Sequence, residues 1–165
     1  MVFYMLSAAR GEMRKESAVI FCLLLMAVLI TACRGGQNKG FDPARIVNVE
    51  AGAVDFFEPV KAVSNTTIRA YGWAADLQAG NAANKLVVVC DGRQVPVTPE
   101  MTESRPDVAK YFRNNSLEKT GWEVTMPASL LGIGKHRLVF YAVLSDNTFA
   151  PLHCGVLKFC QVKVN

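Results

Sequence analysis

Apolar side chains in this chain come mostly in short runs rich in Val, Ile, Phe, Tyr and Trp, and turn-forming residues separate one run from the next. Runs of this length and composition are typical of β-strands that pack face to face. From residue 46 onward they predict an all-β antiparallel sandwich of seven or eight strands. The predicted strands cover residues 46–49, 67–75, 86–90, 94–98, 121–126, 136–144, 148–152 and 156–164.

One pair of these runs forms a predicted β-hairpin. Asp91 and Gly92 lie between residues 86–90 and 94–98, and this dipeptide readily adopts the positive φ angles of a tight turn. Residues 86–90 are apolar on both faces, which predicts a central strand. Pro96 has no backbone N–H to donate, so its strand is expected at a sheet edge.

A single short helix is predicted over residues 106–113. Ser104 offers a capping side chain, Pro106 suits the first turn, and Asp107 places an acid near the positive end of the helix dipole. Val108 and Phe112 are spaced to lay one helix face on the sandwich. Residues 127–132 predict a further short helical turn before the next strand.

The N-terminal part of the chain is of a different kind. Residues 18–30 read AVIFCLLLMAVLI, a basic pair Arg14-Lys15 precedes them, and Ile30-Thr31-Ala32-Cys33 follows. This segment resembles the signal peptides of bacterial lipoproteins, which end in an aliphatic residue, two small residues and a cysteine. The resemblance implies that residues 1–32 are cleaved off and that Cys33 carries the lipid anchor. Met13 is an alternative start.

Two consequences follow for the location of the protein. Residues 33–45 are rich in Gly and polar side chains, which predicts a flexible tether between the lipid and a sandwich domain over residues 46–165. Arg34 directly after the anchor favours, by resemblance to Gram-negative lipoproteins, the outer membrane, with the domain facing the periplasm or the surface. The alternative is an uncleaved transmembrane segment, since residues 17–33 just reach the length needed to cross a bilayer.

Composition and charge exclude some function classes. The chain has 165 residues, of which 51% are hydrophobic, which suits one globular domain. The net charge of +4 falls to +3 without residues 1–32, so the sequence predicts no nucleic-acid partner.

Three cysteines remain beyond the predicted anchor: Cys90, Cys154 and Cys160. An exported domain meets oxidising conditions, in which cysteine pairs form disulfides. Three cysteines allow three single bridges, of which we favour Cys154–Cys160 because the two are close in sequence. Cys90 would then be a buried, unreactive thiol.

No enzyme chemistry is predicted. The two histidines, His136 and His153, lack the spacing of a metal site, and the sequence shows no nucleophile elbow. Four acids could supply a carboxylate pair for glycoside hydrolysis, but structural roles at a turn, a helix start and a strand end account for three of them. These acids are Asp76, Asp91, Asp107 and Glu123. We expect no catalytic residues, no metal and no cofactor.

Aromatic residues are the candidates for ligand binding. Tyr71, Trp73 and Trp122 could stack on a sugar or a peptide, and Asp76 and Arg105 could hydrogen-bond to its polar groups. The alternative is that both indoles lie in the core, since a Gly-Trp pair in a strand most often points its ring inward. Burial of both tryptophans would remove the stacking hypothesis.

Five short motifs together resemble the small immunoglobulin-like β-sandwich modules of bacterial cell-envelope proteins and membrane glycosyltransferases. The motifs are GWAAD at 72–76, VVCDG at 88–92, RPDVA at 105–109, GW at 121–122 and GKHRL at 134–138. The resemblance implies an immunoglobulin-like fold and a cell-envelope setting, and it supplies no catalytic residues. The predicted function is therefore non-catalytic binding of an envelope glycan or polysaccharide. The alternative is a scaffold module that docks an envelope protein through a sheet edge or an apolar patch.

Overall fold

The computed structural model describes residues 40–165, and Phe41–Asn165 form one compact unit. This unit contains all of the described sheet pairing, its own hydrophobic core and a disulfide, so it has what an independently folding domain requires. The predicted signal peptide and Cys33 lie outside the described residues. Within the described part, no helix has both the length and the apolar character needed to cross a bilayer.

Twelve strands and one α-helix make up the described fold. In chain order they are β1 (Gly52–Glu58), β2 (Lys61–Ala62), β3 (Thr67–Asp76), β4 (Asn81–Ala82), β5 (Lys85–Cys90), β6 (Arg93–Gln94), β7 (Glu100–Glu103), α1 (Pro106–Phe112), β8 (Gly121–Pro127), β9 (Gly134–Val143), β10 (Phe149–Pro151), β11 (His153–Cys154) and β12 (Cys160–Val164). Short 3-10 helices cover Pro43–Arg45, Asn115–Leu117 and Ala128–Leu130. The last of these is the helical turn predicted near residue 127.

The strands form two sheets of six, which confirms the predicted β-sandwich. The first sheet has the order β11-β1-β3-β8-β7, and β4 pairs with β3. The second has the order β2-β12-β9-β5-β6, and β10 pairs with β9. Both sheets are mixed, because β11 pairs parallel to β1 and β2 pairs parallel to β12. The prediction of a wholly antiparallel sandwich of seven or eight strands was wrong on these short edge strands.

The core lies between the two sheets. Alternate residues of each strand point inward, so that Ile68 and Ala70 of β3 meet Leu138 and Phe140 of β9. The largest buried side chain is that of Trp122, whose ring stacks on Phe140 with centroids 5.2 Å apart.

The predicted hairpin is confirmed. Asp91 and Gly92 take φ angles of 48° and 84°, and β5 pairs with β6 across this turn. As predicted, β5 has a neighbour on both sides and β6 is an edge strand. The edge strand ends at Gln94, before Pro96, which is where the missing donor would interrupt the ladder.

Near the start of the domain, one predicted strand is not formed and one observed strand was not predicted. Residues 46–49 form only an isolated bridge, between Ile46 and Phe149. The first strand of the fold is instead β1, in the first sheet. It was not predicted because the adjacent Phe56 and Phe57 break the alternation of apolar and polar residues.

The predicted helix is confirmed, with corrections at both ends. Arg105 rather than Ser104 is the N-cap residue, and it makes no side-chain capping bond. Ser104 instead donates its hydroxyl to Glu118. The helix ends because Arg113 adopts the left-handed conformation at φ 53°. Val108 is buried against the sandwich, as predicted.

The favoured disulfide is confirmed, since Cys154 and Cys160 are bonded. Cys90 is half-buried rather than buried, and desolvation raises the pKa of its thiol to about 11. The thiol is therefore protonated and unreactive at neutral pH.

The compact unit begins earlier in the chain than the predicted domain boundary. Residues 41–45 were assigned to the tether, but Phe41 packs its ring on Tyr141 and Phe149, with centroids 4.8 and 5.2 Å away. Burial of this aromatic ring on the second sheet places the start of the compact unit at Phe41 instead of residue 46.

Candidate functional site

The outward face of β3 carries the candidate binding residues. Its inward positions are buried, while Arg69, Tyr71 and Trp73 alternate with them and point away from the core. Tyr71 is 39% exposed and Trp73 is half-buried under α1. The strand thus places two predicted site residues on one outer surface of the first sheet.

Tyr71 forms a stacked aromatic pair with Phe56, and we call this pair the platform. Phe56 is its direct neighbour on β1, and the two rings stack with centroids 4.8 Å apart and planes 10° apart. The guanidinium of Arg69 lies 5.7 Å from the centre of the Tyr71 ring and is held by Glu123 of β8. The outer face of the first sheet thus carries two stacked aromatic rings next to charged hydrogen-bonding groups.

Arg105 lies next to this platform and joins α1 to the sheet. Its Nη1 donates to Asp55 at 2.6 Å, and its Nε and Nη2 donate to the two oxygens of Asp107 at 2.9 and 2.7 Å. The bond from Arg105 holds the pKa of Asp107 at about 2, and the same bond raises the pKa of Arg105. Arg105 and Asp107 are therefore ionised at neutral pH, and the hydrogen bonds fix Arg105 between Asp55 and Asp107.

A β-bulge brings Asp55 to Arg105. Val54 pairs with Gly72 and Phe56 pairs with Tyr71, so Asp55 is an extra residue on β1 without a partner on β3. A Cβ on Gly72 would lie 2.0 Å from the carbonyl oxygen of Ala53. Only glycine at position 72 lets β1 approach closely enough to form the bulge.

Two shallow grooves meet at Arg105. The first, of about 490 Å³, contains Tyr71 and is hereafter the Tyr71 groove. Its polar lining comes from Asp55, Arg69, Glu103, Arg105 and Glu123. The second groove, of about 420 Å³, runs between Trp73 and Tyr111 of α1. Tyr111 is 80% exposed, so the combined surface offers aromatic rings on both sides of Arg105.

The structure brings together three of the five predicted binding residues and separates two. Tyr71, Trp73 and Arg105 share the outer surface. The Trp122 indole is wholly buried, and its N–H has no hydrogen-bond partner among residues 40–165. Asp76 is buried too, and it accepts hydrogen bonds from the backbone N–H and the hydroxyl of Ser145, which lower its pKa. These two residues have structural roles.

Sequence reasoning missed Asp55, Phe56 and Arg69. The first two lie on β1, which was not predicted, and Arg69 lies two residues before Tyr71 on the same face of β3. The alternation of residues 67–73 was a usable signal for Arg69, because it places that side chain beside Tyr71.

The four acids considered for hydrolysis do not form a catalytic pair. Asp91 lies at the hairpin of the second sheet and Asp76 is buried, while Asp107 and Glu123 are each held by an arginine. The pKa values of all four are lowered, mainly by side-chain hydrogen bonds from Ser145, His136, Arg105 and Arg69. A general acid for glycoside cleavage requires the opposite shift.

One described cluster has the donor types of a metal site. Ligand atoms of Cys90, Asp91 and His136 lie within 4.8 Å of one another. However, Asp91 Oδ2 lies 2.8 Å from His136 Nδ1, and His136 Nε2 lies 3.0 Å from the Gly132 carbonyl oxygen. Both ring nitrogens of His136 and one oxygen of Asp91 are thus engaged in hydrogen bonds within the protein.

Comparison with known proteins gives a distant structural likeness. No family model and no curated protein matches the chain. Among solved structures, it resembles part of the endo-β-1,4-mannanase from Thermotoga petrophila, with a TM-score of 0.43 and 10% sequence identity. The match covers 74% of this chain and 21% of the mannanase, so this chain spans about a fifth of that structure.

Proposed function

We propose that this domain is an immunoglobulin-like module that binds a cell-envelope glycan or polysaccharide and does no chemistry on it. The observation that carries the proposal is the stacked Phe56–Tyr71 platform, exposed beside the fixed Asp55–Arg105–Asp107 group. An exposed aromatic side chain offers apolar contact to a sugar ring, and charged groups next to it can hydrogen-bond to sugar hydroxyls.

The dimensions of the surface support an oligosaccharide rather than a single sugar. The Tyr71 groove of about 490 Å³ and the groove at Trp73 of about 420 Å³ are each of the size that holds a small ligand. They meet at Arg105, so one extended chain could contact Tyr71 at one end and Trp73 or Tyr111 at the other. The lowered pKa values of the nearby acids support binding without hydrolysis.

The test replaces Tyr71 by alanine in the fragment 41–165. The fragment and its variant are screened on an array of bacterial envelope glycans, and the best glycan is titrated by calorimetry. We expect Tyr71→Ala to weaken binding about tenfold or more, because Tyr71 is the more exposed ring of the pair.

Ile133→Ala is the matched control, since Ile133 is 81% exposed, equally apolar and distant in sequence from the platform. It should bind like the parent. Equal binding by Tyr71→Ala, with circular dichroism showing an intact fold, contradicts the proposed site.

The alternative role, docking of an envelope protein, is favoured by a different feature. Leu130 and Ile133 are 44% and 81% exposed on one turn. A glycan-independent complex from native membranes that Ile133→Ala abolishes and Tyr71→Ala leaves intact would favour docking.

We also propose that Cys33 is lipidated and anchors the domain in a bacterial cell envelope, at the outer membrane. The support is the sequence around the cleavage point, residues 30–33. Mass spectrometry of the mature protein should show an N-terminal Cys33 carrying acyl chains, and Cys33→Ser should release the protein from membranes. An intact leader on an unmodified Cys33 contradicts this part of the proposal.

A further inference from the structure

A row of lysines crosses the outer face of the second sheet. Lys163 of β12 lies directly opposite Lys61 of β2 on one side and Lys135 of β9 on the other. All three side chains are exposed. Arg137 follows Lys135 on the same face of β9, and the four residues border one groove of about 560 Å³. We call these four residues the basic row.

The charge of the basic row is not neutralised within the described part of the chain. None of its members forms an ion pair there. The one acid that lines the groove, Asp91, is bonded to the ring of His136 and to the backbone N–H of Arg137. Like charges on directly opposite strand positions destabilise a sheet. The fold alone therefore gives no reason for three lysines in register.

The basic row lies on the same face of the second sheet as Phe41, the first residue of the compact unit. Outward positions of β9 run from Lys135 and Arg137 to Tyr141, and Phe41 packs on Tyr141. Along the strand, Lys135 and Tyr141 are six residues apart in sequence and about 20 Å apart in space. Phe41 follows Cys33 by eight residues, which reach at most about 28 Å. If Cys33 is lipidated as proposed, this face lies close to the bilayer surface.

We propose that the basic row binds the headgroups of anionic phospholipids in the membrane that holds the chain. Two observations support the proposal. The positive charge of the basic row is complementary to anionic headgroups, and Phe41 lies only eight residues after the predicted anchor at Cys33. The Tyr71 groove lies on the outer face of the other sheet, so this contact would turn the glycan-binding face away from the membrane. The proposal rests on the lipid anchor for its biological setting, but the surface itself can be tested without the lipid.

The test uses the fragment 41–165 and sedimentation with vesicles. One set of vesicles is pure phosphatidylcholine, and the other contains about one-third phosphatidylglycerol. We expect binding to the anionic vesicles only, and loss of that binding when salt is raised from about 0.1 to about 0.5 M. The double variant Lys135→Gln/Lys163→Gln should bind about 25-fold more weakly, at about fivefold for each lysine.

Lys110→Gln/Lys119→Gln is the matched control, because it removes the same charge from α1 and from the loop before β8. It should weaken vesicle binding much less than the double variant of the basic row. Equal weakening by the two pairs shows a net-charge effect and overturns the site. Binding to soluble polygalacturonate but not to vesicles also overturns it, in favour of an acidic polysaccharide. Failure on the glycan array leaves this result unaffected, since no glycan is present.

Discussion

Replacing Trp122 by alanine should lower the free energy of unfolding by about 3–5 kcal/mol, a large part of the stability of a domain of this size. The indole is 0% exposed and stacks on Phe140 between the two sheets. Truncation would leave a cavity that the rigid sheets cannot close. Urea denaturation of the fragment 41–165, followed by circular dichroism, measures the change.

Trp122→Phe is the control for the same position. It keeps an aromatic ring against Phe140 and removes the indole N–H, which has no partner among the described residues. The expected loss is about 1–2 kcal/mol, since the smaller ring leaves a smaller cavity and the unpaired donor is gone. A Trp122→Ala variant as stable as the parent would falsify the position of this ring in the core.

The sequence could not by itself distinguish Trp122 from Trp73. Each follows a glycine in a strand, so the same local motif describes both. The register decides, because Gly72 pairs with Trp122 and Trp73 pairs with Gly121. The two indoles therefore point to opposite faces of the first sheet, one into the core and one outward. Strand pairing of this kind is tertiary information.

The predicted elements that the structure confirms are those with a strong local signal. The turn at Asp91-Gly92, the apolar run of β5 and the start of α1 at Pro106 all depend on residues close in sequence. The elements that were missed include β1, whose adjacent Phe56 and Phe57 interrupt the alternation, and short edge strands such as β2 and β11. Two residues cannot show a hydrophobic period, so neighbouring strands alone define them.

The candidate site was predictable in part for the same reason. Tyr71, Trp73 and Arg105 were identified as single residues with suitable side chains. Their grouping depends on the bulge at Asp55, which moves one carboxylate of β1 to Arg105 from a position distant in sequence. No local motif contains both residues. The platform likewise requires Phe56, whose role depends on its pairing with Tyr71.

Replacing Gly72 by alanine should lower the free energy of unfolding by about 2–3 kcal/mol. A Cβ at this position meets the carbonyl oxygen of Ala53 at 2.0 Å and the backbone nitrogen of Asp55 at 3.1 Å. These are backbone atoms of β1, so no side-chain rotation relieves the clash and β1 must move. The movement would displace Asp55 from Arg105 and Phe56 from Tyr71, because both depend on the register of β1.

Gly92→Ala separates this crowding from the ordinary effect of losing a glycine. Gly92 has φ 84° and open space around its Cβ position, so alanine there costs about 1 kcal/mol of backbone strain without any clash. Glycan binding should survive in Gly92→Ala and should be lost in Gly72→Ala, measured at a temperature where both remain folded. If Gly72→Ala keeps both its stability and its binding, then β1 does not approach β3 as described. Because one glycine allows the bulge, and the bulge positions both the charged group and the platform, stability and recognition should fall together at this position.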